Sequence, residues 1–298
     1  MRTYFDCIPC FVNQALQAVR TVTDDEGIQE QVLRSVLRAV EKMDLRQSPP
    51  AMGQTIHRLI REVTGNIDPY REHKRKWNRF VLNLLPELRL RVETSSDPFQ
   101  TAVRLAIAGN IIDSASNHEI DEQRVISSVD RALLAPLDED AVVALYGELV
   151  SAQRILYLAD NAGEIVFDRL LIEQLPMERV TLAVKGAPVI NDATLEDAEQ
   201  AGMTELVRVI SNGSDAPGTM LEQCSVEFRQ EFKCSDVVIA KGQANYETLN
   251  DSVQNLFFVL MAKCPVIARD IGCRRESLVV IQKRAVEFGQ TASRKGID

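Results

Sequence analysis

The stretch YLADNAGEIVFDRLL, residues 157–171, contains the transition that decides the fold. Its apolar residues up to Ala159 continue a short run that is typical of a buried strand, and apolar residues recur at helical spacing after Gly163. An acid and an amide, Asp160 and Asn161, lie where the strand should end. We therefore read a strand that leads through a polar turn into a helix.

Short apolar runs rich in β-branched residues follow this stretch and alternate with helical patterns. With RILYLAD at the beginning, the later runs are RVTLAVK, ELVRVISN, DVVIAKG, NLFFVLMAK and SLVVIQK. Runs that are apolar on both faces are typical of a parallel sheet covered on both sides. Residues 149–298 are therefore predicted to form an α/β domain with an open, mostly parallel sheet and helices on both faces.

Residues 1–148 show helical periodicity instead. Apolar residues recur at helical spacing in FVNQALQAVRTV, EQVLRSVLRAVEKM and RFVLNLLPELRLRV. Pro49, Pro50 and Pro98 stand where helices should begin. This half is predicted to be an all-helical domain in front of the sheet.

Composition and charge limit the partners. The 298 residues are 45% hydrophobic and 26% charged, which is normal for a globular protein. The N-terminus lacks the plan of a secretory signal and no apolar run is long enough to cross a bilayer, so we expect a cytoplasmic protein without a membrane partner. A net charge of -9 disfavours nucleic acid, and an anionic substrate would need a local cation. The oligomeric state is not predicted.

Polar residues at the strand ends predict where a ligand binds. In an open parallel sheet, ligands bind beyond the carboxyl ends of the strands. Four predicted strands end in such residues: Asp160 and Asn161, Lys185, Ser211 and Asn212, and Lys241 and Gly242. Any one of them can be explained by a turn or a helix cap, but four converging ends suggest a site.

Acidic residues near the first strand end suggest a metal. The oxygen donors of Asp160 and Asn161 suit a hard cation such as Mg²⁺ or Mn²⁺. Glu164 either holds a metal-bound water or only carries charge at a helix start. Asp192 is a possible helix N-cap, and Asp197, within that helix, is either a third ligand or a solvated acid.

Several segments, in their order, resemble the damage-control phosphatase family, long catalogued only as a domain of unknown function. They are DNAGE, KGAPVINDATLEDA, SNGSDAPGT, KGQANYE and LMAKCPVIA, with YFDCIPCF, NIDPYREHKRKWN and LAIAGNIID in the N-terminal half. The resemblance implies a helical region joined to a Rossmann-like α/β domain. It also implies a phosphatase that uses Mg²⁺, Mn²⁺, Co²⁺ or Ni²⁺ on small phosphorylated metabolites, such as sugar phosphates or phosphopantetheine-like compounds.

The resemblance also implies residue roles. Asp160, Asn161 and Asp197 would be the metal ligands. The residues that would contact the phosphorylated substrate are Gly242, Asn245, Tyr246 and Lys263, with Lys241 close by. From the residues themselves, further candidates for substrate contact are Ser211, Asn212, Asn110 and Asp113, although helix capping explains the last two almost as well.

The catalytic roles stay partly open. The expected mechanism has an ion between a phosphate oxygen and an activated water, while Lys241 or Lys263 neutralises charge. Glu164, Asp192 and Asp160 are all candidates for the general base. Direct attack by Asp160 is a further possibility, although it conflicts with a ligand role.

The pair Cys7 and Cys10 forms a C-x-x-C motif, a spacing that suits zinc when two more ligands are near. Cys264 and Cys273 are the available candidates, but Cys273 stands where an apolar residue is expected. We favour packed thiols, and zinc is the less favoured interpretation.

Two other functions compete with the phosphatase. A methyltransferase that uses S-adenosylmethionine normally has a glycine-rich turn after the first strand, whereas DNAGE offers one glycine. A non-catalytic sensor that binds metal and a phosphorylated metabolite would need the same residues, and only an activity measurement separates it from an enzyme.

Overall fold

The computed structural model describes residues 1–111 and 122–283. The α-helices are α1 (Cys7–Val22), α2 (Glu26–Lys42), α3 (Pro49–Thr64), α4 (Arg71–Glu93), α5 (Pro98–Ala108), α6 (Glu122–Leu134), α7 (Glu139–Ser151), α8 (Glu164–Ile172), α9 (Leu195–Gln200), α10 (Val226–Cys234), α11 (Gln243–Leu249) and α12 (Pro265–Ile271). The strands are β1 (Ile155–Leu158), β2 (Val180–Val184), β3 (Arg208–Ser211), β4 (Val237–Lys241), β5 (Leu256–Met261) and β6 (Leu278–Lys283). None of the helices in these residues is long and apolar enough to cross a membrane.

The six strands form one sheet in the order β3-β2-β1-β4-β5-β6. Strands β1 to β5 run parallel, and β6 pairs antiparallel with β5. The predicted fold class is confirmed, since all six apolar runs contain a strand and helices precede the sheet. The strand order reverses between β1 and β4, which opens a crevice at the carboxyl ends of these strands.

Both faces of the sheet are buried, as the continuously apolar runs predicted. Tyr157 and Phe257 belong to the core cluster that includes residues of α4, α5, α7 and α8. Leu156 and Phe258 belong to the cluster on the other face, which includes residues of α10, α11 and α12. Successive side chains of a strand point to opposite faces, so each strand contributes to both cores.

The larger core crosses the predicted domain boundary near residue 148. It joins Trp77 of α4 and Leu105 of α5 to residues of the strands. Helices α1 to α3 have a separate core that also includes Val189 and Ile190, from the segment after β2. A division into domains 1–148 and 149–298 stays a prediction.

Several helices begin as their sequences predict. Asp97 caps α5 through a hydrogen bond from the Gln100 N–H to its carboxylate, and Pro98 occupies the first turn. Helix α3 likewise begins with Pro49 and Pro50. Proline suits the first turn because its missing N–H has no partner there anyway.

Asp215, in the loop after β3, ties α3 to the sheet. Its carboxylate accepts hydrogen bonds from Gln54 Nε2 at 2.7 Å, from Arg58 Nη2 at 2.6 Å and from Arg61 Nη2 at 2.5 Å. The hydrogen bonds from Arg58 are the largest cause that lowers the pKa of Asp215 to about 2, with Gln54 and the charge of Arg61 adding to the effect against burial. These contacts hold α3 over the carboxyl ends of the strands.

The substitution Asp215→Ala should lower the free energy of unfolding at neutral pH by about 1–3 kcal/mol, because it removes the shared partner of two arginines. The pKa of Asp215 falls from 3.8 to about 2 on folding. Its stabilising contribution is therefore complete above the unfolded pKa and is lost as pH falls through the folded pKa. Urea denaturation at several pH values checks this.

The matched control is Asp44→Ala, which removes an exposed carboxylate that pairs with Arg46 two residues along the chain. We expect it to change stability much less than Asp215→Ala does, because solvent screens an exposed ion pair. Equal stability of the two variants at neutral pH would refute the role given to Asp215.

Candidate active site

A cavity of about 580 Å³ opens at the crevice between the carboxyl ends of the strands and the helices α1 and α3. Four of the predicted site residues line it: Asp160, Asn161, Asp192 and Lys263. Three of the four are Asp or Asn residues, and Lys263 is a cation. This polar end of the cavity is the candidate active site.

The segments around Asp160 and Asp192 run side by side. Asn161 and Asp192 form an isolated antiparallel bridge. The N–H of Ala193 donates to the carbonyl oxygen of Asp160 at 2.8 Å. Asp192 Oδ2 also lies 3.3 Å from Nζ of Lys185, at the end of β2. Backbone pairing therefore brings two carboxylates and one amide to the same wall.

A layer of hydrogen bonds supports Asp160 and Asn161 from below. The side-chain amide of Asn110 donates to Asp160 Oδ2 at 2.9 Å and to Glu164 Oε2 at 2.8 Å. The amide of Asn161 donates to the same two oxygens at 2.8 and 2.9 Å. Because the nitrogen of Asn161 is used in this way, its carbonyl oxygen is the atom that can act as a ligand.

Glu164 and Asn110 belong to this supporting layer, since both are fully buried. The two oxygens of Glu164 accept hydrogen bonds from the amides of Asn110 and Asn161 and from Lys241. Asn110 was predicted to contact substrate, but it contacts Asp160 and Glu164 instead. Asp113, the neighbouring candidate, lies outside the described residues.

Lys241 does not face the cavity, which corrects its predicted position beside the phosphate. Its ammonium group is fully buried and donates to Glu164 Oε1 at 2.8 Å, to the carbonyl oxygen of Ala106 at 2.9 Å and to Asp168 Oδ1. Three acceptors use all three of its N–H groups. Tyr157 also donates to Asp168, at 2.8 Å. Lys241 therefore acts on the site through Glu164.

The pKa values of this cluster reflect burial and charge together. Burial disfavours the charge of Lys241, but the carboxylates of Asp168 and Glu164 outweigh it and hold the pKa of Lys241 above its usual range. Burial is also the main cause that raises the pKa of Asp168, against the charge of Lys241. The cluster is thus a buried ion network below the cavity.

Asp197 also lies away from the cavity, which corrects its predicted place among the metal ligands. It forms a capping box with Thr194, whose N–H and hydroxyl donate to its carboxylate at 2.9 and 2.7 Å. Asn78 donates to it at 2.9 Å and Lys74 at 3.3 Å. Because Thr194 is the N-cap of α9, Asp192 is not, and Asp192 belongs to the cavity lining.

The strand-end residues Ser211 and Asn212 shape the loop after β3. Asn212 Oδ1 accepts from the backbone N–H groups of Gly186 at 3.1 Å and Ser214 at 2.9 Å. Ser211 Oγ accepts from the Gly213 N–H at 3.0 Å. Neither residue is part of the cavity lining in the described residues, and their contact with substrate stays a prediction.

Asn245 and Tyr246 of α11 are also directed into the protein. Asn245 Oδ1 accepts from the hydroxyl of Thr219 at 2.7 Å, and the Tyr246 hydroxyl donates to Asp270 Oδ2 at 2.7 Å. Both side chains are buried. The cavity is lined instead by Gln243, Ala244 and Glu247 of the same helix, which belong to the segment KGQANYE but received no role in the sequence analysis.

Gly242 contacts the side chain of Asp160 and does not line the cavity. Its φ of +79° is in the region that glycine adopts readily and other residues rarely adopt. A Cβ atom at this position would overlap the carboxylate of Asp160. A glycine is therefore required where β4 ends, so that the side chain of Asp160 can lie against the backbone.

Lys263 is the cationic residue of the cavity lining within the part of the chain that the structure describes. It lines the main cavity and also a neighbouring cleft of about 390 Å³. That cleft is lined by Arg124, Arg131 and Arg275 together with Glu276. The polar end therefore borders a basic region, in a chain whose net charge is -9.

The C-x-x-C motif faces the same cavity. Cys7 and Cys10 line it together with Cys264, which lies in sequence next to Lys263. Burial is the main cause that raises the pKa values of Cys7 and Cys264. Within residues 1–111 and 122–283, no group of three or more His, Cys, Asp or Glu side chains is arranged to hold a metal ion. A site at the polar end would thus use two carboxylates and an amide.

The sheet order and the crevice define a Rossmann-like α/β protein with a candidate ligand site at the carboxyl ends of its strands. The model of the damage-control phosphatase ARMT1-like domain matches residues 3–279. The chain belongs to this family.

Archaeal proteins are similar over nearly the whole chain. A damage-control phosphatase of Pyrococcus horikoshii is 34% identical over 294 residues, covering 95% of this chain and 99% of that protein. One of Archaeoglobus fulgidus is 35% identical over 275 residues, covering 89% and 94%. A crystal structure of a DUF89 family protein from P. horikoshii has a TM-score of 0.83 at 32% identity and covers 95% of this chain and 99% of that one.

Two glycine substitutions test the support of Asp160. Gly242→Ala and Gly272→Ala both place a side chain at positive φ, +79° and +82°, but only at Gly242 does the new Cβ meet other atoms. Gly272→Ala should lose about 1–2 kcal/mol of stability from its left-handed backbone conformation. Gly242, with a ψ of 167°, lies in a region that is essentially restricted to glycine, so its backbone cost should be about 1–3 kcal/mol. Gly242→Ala should lose about 1–3 kcal/mol more, because Asp160 must move. Urea denaturation measures both, and equal losses would contradict the contact.

Proposed function

We propose that this protein is a divalent-metal-dependent phosphatase that hydrolyses small phosphorylated metabolites in metabolite damage control. The observation that carries the proposal is the placement of Asp160, Asn161 and Asp192 on one cavity wall, with Lys263 in the same cavity. Membership of the damage-control phosphatase family supports the reaction class. The names of the archaeal relatives support it as well.

Asp160, Asn161 and Asp192 are the residues that would hold the ion. Their donors are carboxylate and amide oxygens, which suit Mg²⁺ or Mn²⁺, and other divalent ions such as Co²⁺ or Ni²⁺ remain to be compared. When bound, such an ion polarises a phosphoryl oxygen and lowers the pKa of bound water. In this assignment Asp192 takes the place that the sequence interpretation gave to Asp197.

The chain's own groups have separate tasks in this proposal. Lys263 binds the charge of the phosphate. Glu164 keeps Asn161 and, through Asn110, Asp160 in place, and Lys241 holds Glu164. Glu164 is therefore a positioning residue, since its oxygens are already occupied by buried donors. Four carboxylates line the cavity: Asp6, Asp160, Asp192 and Glu247. We assign the proton acceptor to Asp160 or Asp192, because these two would lie beside the ion.

Two alternatives remain from the sequence. A methyltransferase that uses S-adenosylmethionine would bind it above β1, where the turn carries Asp160, Asn161 and the single glycine Gly163. No contact in the described residues favours that cofactor. A sensor that binds metal and phosphate without turnover would share the whole site, so phosphate release decides between sensor and enzyme.

The substitution Asp192→Asn should lower metal-dependent phosphate release by about 100-fold or more, because even groups that only orient metal ligands cost about 10–100-fold when lost. Phosphate release from sugar phosphates, phosphopantetheine and p-nitrophenyl phosphate is measured with each ion and then with EDTA. Asp160→Asn should behave in the same way.

The control is Asp197→Asn, a buried Asp in the same segment of the chain. It should lower stability by about 1–3 kcal/mol through the lost cap and ion pair, but keep activity within about tenfold. If Asp197→Asn loses activity while Asp192→Asn keeps it, Asp197 is the metal ligand and Asp192 is not. The absence of turnover with every ion would favour the sensor.

A further inference from the structure

The cavity has a second side that the polar end does not explain. Away from Asp160 and Asp192 most of the lining area is apolar, although the polar residues Asp6, Asn13, Gln14, Gln243 and Glu247 also belong to the lining. The apolar residues that matter for the argument are Phe11, Pro49, Pro50, Pro217, Pro265 and Val266. They come from α1, from the beginnings of α3 and α12, and from the loop after β3. A ligand whose phosphate lies at the polar end can place the rest of its body against this apolar wall.

One face of α1 contributes much of the wall. Cys7, Cys10, Phe11 and Gln14 all line the cavity, and their spacing of three, four and seven residues places them on the same side of a helix. A free thiol packs as a small hydrophobic group. Three of these four side chains therefore offer apolar or weakly polar contacts.

The wall is also held in a fixed shape. Proline restricts the backbone at Pro49, Pro50 and Pro217. The close packing of α3 on the loop after β3 leaves only 3.3 Å between Pro217 Cγ and a Cβ built on Gly53. The ion pairs of Asp215 join the same two elements. A surface that is rigid before binding loses little conformational freedom when an apolar group packs on it.

Two of the polar side chains on this side of the cavity form a hydrogen bond with each other. Gln243 Nε2 donates to Glu247 Oε1 at 2.9 Å, and both residues line the cavity. A sugar would place several hydroxyl groups against proline rings and thiols, where each lost hydrogen bond with water costs free energy. An alkyl, aryl or thioether group has no such cost.

We propose that the substrate is a phosphomonoester with a predominantly apolar body, and that the α1 face of Cys7, Cys10 and Phe11 selects for that body over a sugar. The inference rests on the proposed phosphatase function, because it assumes that the phosphate lies at Asp160, Asn161 and Asp192. It disfavours sugar phosphates, which the family resemblance implies alongside phosphopantetheine-like compounds.

Phosphonates that cannot be hydrolysed test recognition without turnover. Binding of methylphosphonate and hexylphosphonate, which carry the same charge, is compared by calorimetry in the presence of Mn²⁺. We expect hexylphosphonate to bind at least about tenfold more tightly, since five more methylene groups leave water. Propylphosphonate should also bind more tightly than 2,3-dihydroxypropylphosphonate, which differs from it by two hydroxyl groups.

Two variants assign the effect to α1. Phe11→Ala should reduce the preference for the longer chain about threefold or more, whereas Phe5→Ala, at a residue that is 78% exposed outside the cavity, should leave it unchanged. Phe11 also packs in the core of α1 to α3, so Phe11→Ala changes stability as well as the cavity surface. The second variant, Cys10→Ser, therefore changes an exposed thiol of the cavity instead. Its control is Cys234→Ser, which lies outside this cavity.

The outcomes separate this inference from the proposed function. Equal binding of the short and long phosphonates, or a preference for the hydroxylated one, overturns the inference even if the protein hydrolyses phosphoesters. A strong preference for the longer chain that depends on Phe11 or Cys10 supports it. If that preference appears but no phosphoester is hydrolysed with any ion, apolar recognition stands and the phosphatase proposal fails.

Discussion

One buried ammonium group holds the candidate site together. Lys241 lies between two carboxylates of α8, Glu164 and Asp168, and all three side chains are fully buried. Without the ammonium group, two acids would remain in a low-dielectric core with no opposite charge, at a cost of several kcal/mol. The position of Glu164, and through it the orientation of the cavity residues, depends on this charge.

The same cluster joins the elements that meet below the crevice. Lys241 ends β4, Tyr157 comes from β1, and Ala106 from α5 supplies a carbonyl oxygen. From there the hydrogen bonds continue through the amides of Asn110 and Asn161 to the cavity wall. The reversal of strand order provides the crevice, and this network fixes the side chains at its floor.

Much of the fold follows from patterns that a sequence displays openly, because continuous apolar runs and helical periodicity reflect burial. Asp160 and Asn161 were predictable because a strand end places them directly, and Lys263 followed from the family resemblance. Asp192 and Asp197 lie in the same short segment, and a capping box and a backbone bridge, both visible only in three dimensions, decide which faces the cavity. Lys241 shares the side of β4 that holds Val237 and Ile239, but the pattern does not reveal which side α8 covers.

The two ends of the cavity are built by different parts of the chain, and this separation has a consequence for how such proteins diverge. The polar end comes from turns after β1, β2 and β5, whereas much of the apolar wall comes from two turns of α1 and the first turn of α3. Substitutions in those helical turns can change which compounds fit while the reacting end stays intact. A few substitutions near the N-terminus are therefore enough to alter the apolar wall without changing any residue of the polar end.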